Sequence, residues 1–147
     1  MTHQQLARDL LGLFCVFQAA ATLLLDLNRT HAANPLWLHH ARFHVVWQSA
    51  STAALGAVEL LLLFGLGPLT PMRFYLVLVL AAVPVFGFFI ALITRGIYGG
   101  TLSDPNGIKP LIIQRGQRTY RIDLNLVAEI AAVLTLLALG ILFGTGV

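Results

Sequence analysis

The sequence predicts an all-α membrane protein: a four-helix transmembrane bundle with a long, partly β-prone third loop. Three observations carry this. Of 147 residues, 58% are hydrophobic and only 10% charged, against about a quarter charged in soluble domains. Mean hydropathy is +0.84, too apolar for a chain of this size to cover itself with a polar surface. Four windows of mostly apolar residues each reach the length of about 20 residues that a spanning helix needs.

The windows run from about Leu6 to Leu27, Phe43 to Leu66, Met72 to Thr94 and Leu124 to Phe143. Each is apolar nearly all round, as lipid-facing helices are. The first has a rival reading, because Ala19-Ala20-Ala21 resembles a signal-peptide cleavage site. Arg8 adjoins Asp9, however, and the apolar run continues to Leu25, so the segment reads as a span. Asn34-Pro35 breaks the first loop. Gly65-Leu66-Gly67-Pro68 and Pro71 make a tight second connection and an antiparallel helix pair. The third connection, Arg95 to Asp123, holds a turn signal at Asp104-Pro105-Asn106-Gly107. It also has two β-prone runs, Leu111-Ile112-Ile113 and Thr119-Tyr120-Arg121-Ile122, around Arg115-Gly116. These predict a small hairpin lying over the bundle end.

Charge gives the expected orientation. Loops one and three hold Arg29, Arg42, Arg95, Lys109, Arg115, Arg118 and Arg121, and the other side holds Arg8 and Arg73. Basic loops stay cytoplasmic, so both termini are expected on the non-cytoplasmic side. The net charge of +3 sits in loops between apolar runs, a topology signal rather than a nucleic-acid surface. Cys15, the lone cysteine, excludes an internal disulfide and multi-cysteine metal centres and reads as a small core residue.

Polar side chains inside spans are costly and mark functional candidates. In the first helix Gln18, Thr22 and Asp26 recur every four residues. In the second, His40, His44 and Gln48 do so, with Thr52, Leu55 and Glu59 continuing the face. In the fourth, Asn125 and Glu129 are four apart. Three stripes directed toward the same end predict a polar pocket there. His31, His40 and His44 are possible ligands of a divalent metal, since His-x-x-x-His puts two imidazoles on one helix face. Asp26 and Glu129 read as an acid/base pair or as structural partners of Arg29 or Arg42 and of Arg95. Glu59, the deepest carboxyl group, reads as hydrogen-bonded to Thr22 or Gln18, or as a proton-coupling group. Trp37 and Trp47 read as interfacial anchors or as stacking surfaces for a planar ligand. Asn28 and Gln48 are expected to orient a substrate.

The segment Asp26-x-Asn28-x-Thr30-His31, Asn34-Pro35-x-Trp37, His40-Ala41-Arg42-Phe43-His44 resembles one in an uncharacterised family of small four-helix membrane proteins of bacteria and fungi. The resemblance covers Asp26 to His44 closely. It implies the four-helix architecture and carries no assigned activity. A pocket of carboxylates and histidines is also similar, by analogy alone, to those of sterol isomerases and small membrane cyclases, whose motifs this chain lacks.

The expected function is an integral membrane enzyme acting on a lipophilic small molecule by acid/base or metal-assisted chemistry, of an isomerisation, hydration or cyclisation type. Asp26, His40, His44 and Glu129 are the expected catalytic groups, and Asn28, Trp37, Trp47, Gln48 and Glu59 the expected substrate contacts. No nucleotide, haem or flavin motif is present. The alternatives are a non-catalytic subunit or ligand-binding module, and a proton-coupled transporter working through Glu59. The lipid bilayer is the expected surrounding partner. Small residues at Gly56, Ala19–Ala21 and Ala53–Ala57 offer a helix-packing face for a homo-oligomer.

Overall fold

A computed structural model describes residues 1–103 and 107–146. The turn expected at Asp104-Pro105-Asn106 lies outside them. Four helices are long and apolar enough to cross a membrane: α1 (His3–Asp26), α2 (His39–Leu60), α3 (Pro71–Tyr98) and α4 (Leu124–Gly144). A π-helical turn, Leu61–Gly65, continues α2, and strands β1 (Leu111–Arg115) and β2 (Arg118–Ile122) precede α4.

Local signals account for most of the helix ends. Thr2 and Gln5 form a capping box on α1. Thr70 caps α3 ahead of Pro71, and Asp123 accepts from the Leu126 N–H at the start of α4. At the far end of α3, Gly99 takes the left-handed conformation that terminates a helix (φ 69°). That carries α3 past Thr94, where the apolar window ends. α2 likewise starts earlier than the apolar window, at His39, because helix geometry continues through polar His39–Arg42. Leu38 makes no side-chain cap bond, so no residue type announces that start.

α1 and α2 form a tightly registered antiparallel pair. Gly12 faces the Phe64 ring, and Gly56 faces Ala19 and the Cys15 carbonyl. A Cβ on Gly56 would stand 3.0 Å from that of Ala19, so the glycine permits the close approach typical of membrane helices. Further along, Ser49 of α2 meets Asp26, the last residue of α1. In this register residues 39–48 of α2, about 15 Å of helix, run beyond the end of α1 and alongside loop one.

The core is concentrated in the half of the bundle nearest the termini and the α2–α3 connection. It comprises Ala7, Leu11 and Cys15 of α1, Leu63 of the π-helical turn, Phe74, Val77, Ala81 and Val85 of α3, and Leu136, Leu139 and Phe143 of α4. Phe74 and Phe143 stack at 3.8 Å, nearly parallel. Pro84 inside α3 cannot donate to the carbonyl of Leu80. Next to that site, Gln18 Nε2 of α1 donates to the Ala81 carbonyl at 3.1 Å, the kind of repair that neighbouring helices supply around a membrane proline. Phe17, Phe86 and Ile93 stand exposed on the outer faces, as expected where lipid is the solvent.

The hairpin forms in the expected place, with Leu111 opposite Ile122 and Arg115 opposite Arg118. Its side chains from Leu111 to Arg121 are all exposed, so it projects from the bundle instead of lying over its end.

Candidate functional site

Loop one is folded by its own side chains. Asn28 Nδ2 donates to the Leu24 carbonyl at 2.9 Å, while its Oδ1 accepts from the Thr30 backbone N–H and hydroxyl. Asn28 thereby ends α1 and starts the turn, and the structure gives it this local task in place of a contact to the pocket. The buried Asn34 accepts from the Leu36 N–H. The His31 Nδ1 atom lies 2.7 Å from Thr30 Oγ1 and 3.2 Å from the Leu25 carbonyl. A carbonyl only accepts, so this geometry calls for a proton on Nδ1. Trp37 meets the His31 ring edge-on at 5.3 Å, and its carbonyl accepts from Arg42 Nε.

His40 and His44 form a pair, with Nε2 atoms 3.0 Å apart and rings crossed at 86°. His44 also stacks on Trp47. All three are exposed. They stand on the protruding turns of α2, so they flank loop one and do not enter the bundle. The i, i+4 pattern correctly pairs the two imidazoles. Among the described residues, however, no three His, Cys, Asp or Glu side chains come together as a metal-holding group. His31 is thus not a third partner to the pair.

Asp26 accepts from the Ser49 hydroxyl at 3.3 Å, and His31 is within electrostatic reach of it. The ion pairs expected for Asp26 with Arg29 or Arg42, and for Glu129 with Arg95, do not form. Arg8–Asp9 is the one salt bridge among the described residues. No hydrogen bond among the described residues joins Asp26, the histidine pair and Glu129 into one network.

Glu129 lies elsewhere, in a cleft of about 590 Å³ between α2, α3 and α4. Its polar lining is Gln48, Ser51, Thr52 and Glu129, and its apolar lining includes Leu55, Val83 and Phe88. It exists because α3 carries two residues with little side chain to offer there. Pro84 lines the cleft, and Gly87 has nothing within 4 Å of where a Cβ would be. A smaller cavity of about 150 Å³ shares Phe88 and Ala91 with it and continues along α3 to Arg95, Tyr98 and Thr101. Gln48 therefore sits at the junction of two features. It lines the cleft, and its own helix carries His44 one turn, about 6 Å, further out.

Glu59 is fully buried in the α1–α2 seam, and among the described residues both carboxyl oxygens lack a hydrogen-bond partner. Its expected partners bond elsewhere: Thr22 to the Gln18 carbonyl and Gln18 to Ala81. The polar side chain that acts on it is the Cys15 thiol, also fully buried. Glu59 is no part of the cleft lining. Gly56 and Ala19, offered by the sequence as an oligomer face, meet each other inside the chain.

Sequence reasoning missed Ser49 as the Asp26 partner, and it missed Ser51, Pro84, Gly87 and Phe88 as cleft walls. A usable signal was present in α3: Pro84 and Gly87, three residues apart, leave room for a ligand. No family model matches the chain, and neither a curated protein nor a solved structure matches it, so the site is read from its own geometry.

Proposed function

We propose that the protein is an integral membrane enzyme that acts on a lipophilic small molecule in the α2–α3–α4 cleft, with Glu129 as its acid/base group. The observation that carries this reading is the lining itself. Among the described residues, Glu129 is the one ionisable side chain in it, beside an amide, two hydroxyls and apolar walls. A carboxyl group held beside apolar surface in a low-dielectric site is suited to moving a proton on a substrate that carries no charge of its own. Gln48, Ser51 and Thr52 would hold an oxygen of that substrate, and Phe88 and Val83 its hydrocarbon part. Isomerisation, hydration or ring closure fits this set.

The four helices support a multi-pass membrane location. The basic residues of loops one and three support a cytoplasmic placement of those loops, with Glu129 about one and a half turns into α4 from that surface. The His40–His44 pair then stands at headgroup level beside the cleft mouth. Labelling of Gln117→Cys by an impermeant thiol reagent in intact cells would reverse this orientation.

Ligand binding without turnover is the second reading. It is favoured by the lack, among the described residues, of any second ionisable group in the lining. Transport through Glu59 has less support, since that carboxyl group is enclosed in the seam. To test the enzyme, wild type and Glu129→Gln are reconstituted in a total lipid extract whose components are followed by chromatography and mass spectrometry. The expected result is conversion of a lipophilic component by wild type, slowed about 10²–10⁴-fold in the variant. Retention of one lipophilic molecule by both, with no conversion, establishes the binding reading instead.

A further inference from the structure

The β1–β2 hairpin is the part of the molecule whose surroundings are least explained by the fold. A two-stranded hairpin is marginal in water by itself, and this one exposes its side chains from Leu111 to Arg121. Its register sorts those side chains sharply. Neighbours alternate between faces along a strand, so Leu111, Ile113 and Arg115 share a face with their partners Ile122, Tyr120 and Arg118. That face has an apolar base, Leu111 with Ile122 and Ile113 with Tyr120, and a cationic tip of Arg115 with Arg118. The opposite face carries Ile112 with Arg121 and Gln114 with Thr119.

Charge and position identify what covers the first face. From Gly107 to Ile122 the chain has Lys109, Arg115, Arg118 and Arg121 and no acidic residue. β2 is joined through Asp123 directly to α4, so the apolar base begins where a candidate membrane span begins. A partner for this face must offer apolar depth next to the helix end and negative charge around it. An anionic lipid leaflet offers both: hydrocarbon at the acyl boundary for Leu111, Ile113 and Ile122, a headgroup layer for the tyrosine, and phosphates for the arginines.

We propose that the hairpin is a membrane-docking element, which lays its Leu111–Ile113–Tyr120–Ile122 face into an anionic leaflet and sets Arg115 and Arg118 on lipid phosphates. This inference is independent of the cleft chemistry. An enzyme, a binding module or a subunit would carry the hairpin in the same way.

The test uses the full chain with Cys15→Ala and a single added cysteine, either Ile113→Cys or Gln114→Cys, labelled with an environment-sensitive fluorophore. Each is reconstituted in phosphatidylcholine vesicles with or without phosphatidylglycerol. With phosphatidylglycerol present, the label at position 113 is expected to shift to the blue and to be quenched by spin-labelled acyl chains. The label at position 114 is expected to stay in water. Adding Arg115→Gln and Arg118→Gln to the Ile113→Cys protein should abolish its shift. Hydrogen exchange of the 111–122 amides in the unlabelled wild type provides a readout free of any substitution, and phosphatidylglycerol should slow it. Equal, water-like signals at 113 and 114 overturn the proposal, as does a response that ignores phosphatidylglycerol. A blue shift that rises with protein density and accompanies cross-linking between copies also overturns it, in favour of strand pairing between chains.

Discussion

The two halves of the bundle hold one buried or half-buried glutamate each, and the halves are built in opposite ways. In the half nearest the termini, Glu59 is fully buried in the seam where Gly56 meets Ala19 and the Cys15 carbonyl, and Phe74 stacks on Phe143 in the same half. In the half nearest loops one and three, Glu129 borders open volume left by Pro84 and Gly87. Glu59 is the more deeply buried and the more conspicuous in sequence, yet it is no part of the cleft lining. Under the proposed function, what selects Glu129 over Glu59 is the volume next to it and not side-chain type.

The sharpest way to break this comparison is to neutralise the two carboxyl groups in turn. Glu129→Gln is expected to cut turnover about 10²–10⁴-fold with thermal stability in detergent close to wild type, and Glu59→Gln to leave turnover close to wild type, since Glu59 is no part of the cleft lining. The reverse pattern would move the site into the seam. Next in size is the core. Phe143→Ala should destabilise by about 3–5 kcal/mol, while Phe88→Ala, which only enlarges the cleft, should cost far less. Equal melting temperatures for the two variants would mean that both halves are packed alike. Glycine substitutions refine the contrast: Gly56→Leu forces apart α1 and α2 and should cost about 1–3 kcal/mol. Gly87→Leu enters free space, so it should leave stability unchanged while excluding the ligand. A further loss is expected where α2 meets the end of α1. Ser49→Ala removes the hydroxyl that bonds Asp26 and should cost about 1 kcal/mol, read by chemical or thermal unfolding.

Helix number, approximate spans and the hairpin were legible because they depend on local composition: long apolar runs, Pro and Gly breaks, and alternating β-prone residues around Arg115-Gly116. The pairing of His40 with His44 was legible because four residues separate them on one helix. Convergence of the stripes was not, because it depends on how far one helix slides past another. The Asp26–Ser49 contact sets that slide, and it carries the histidines beyond the level of Glu129. The roles assigned to Arg29, Arg42 and Arg95 failed for a related reason. Opposite charges nearby in sequence do not meet when the turns between them are fixed by other bonds, as Arg42 is by the Trp37 carbonyl.

The fit of α2 against α1 also bears on the order in which the chain is assembled. A lone α2 would present Glu59 to hydrocarbon, at about 2.5–3.5 kcal/mol for an acidic side chain near a helix centre, while α1 shields it with Cys15, Ala19 and the backbone that Gly56 admits. With the four helices crossing a bilayer, as proposed, the first two are expected to leave the insertion machinery together as one hairpin, with loop one already folded by Asn28 and Asn34, before α3 is fully synthesised. The cleft between α2, α3 and α4 would then be the last feature of the molecule to take shape.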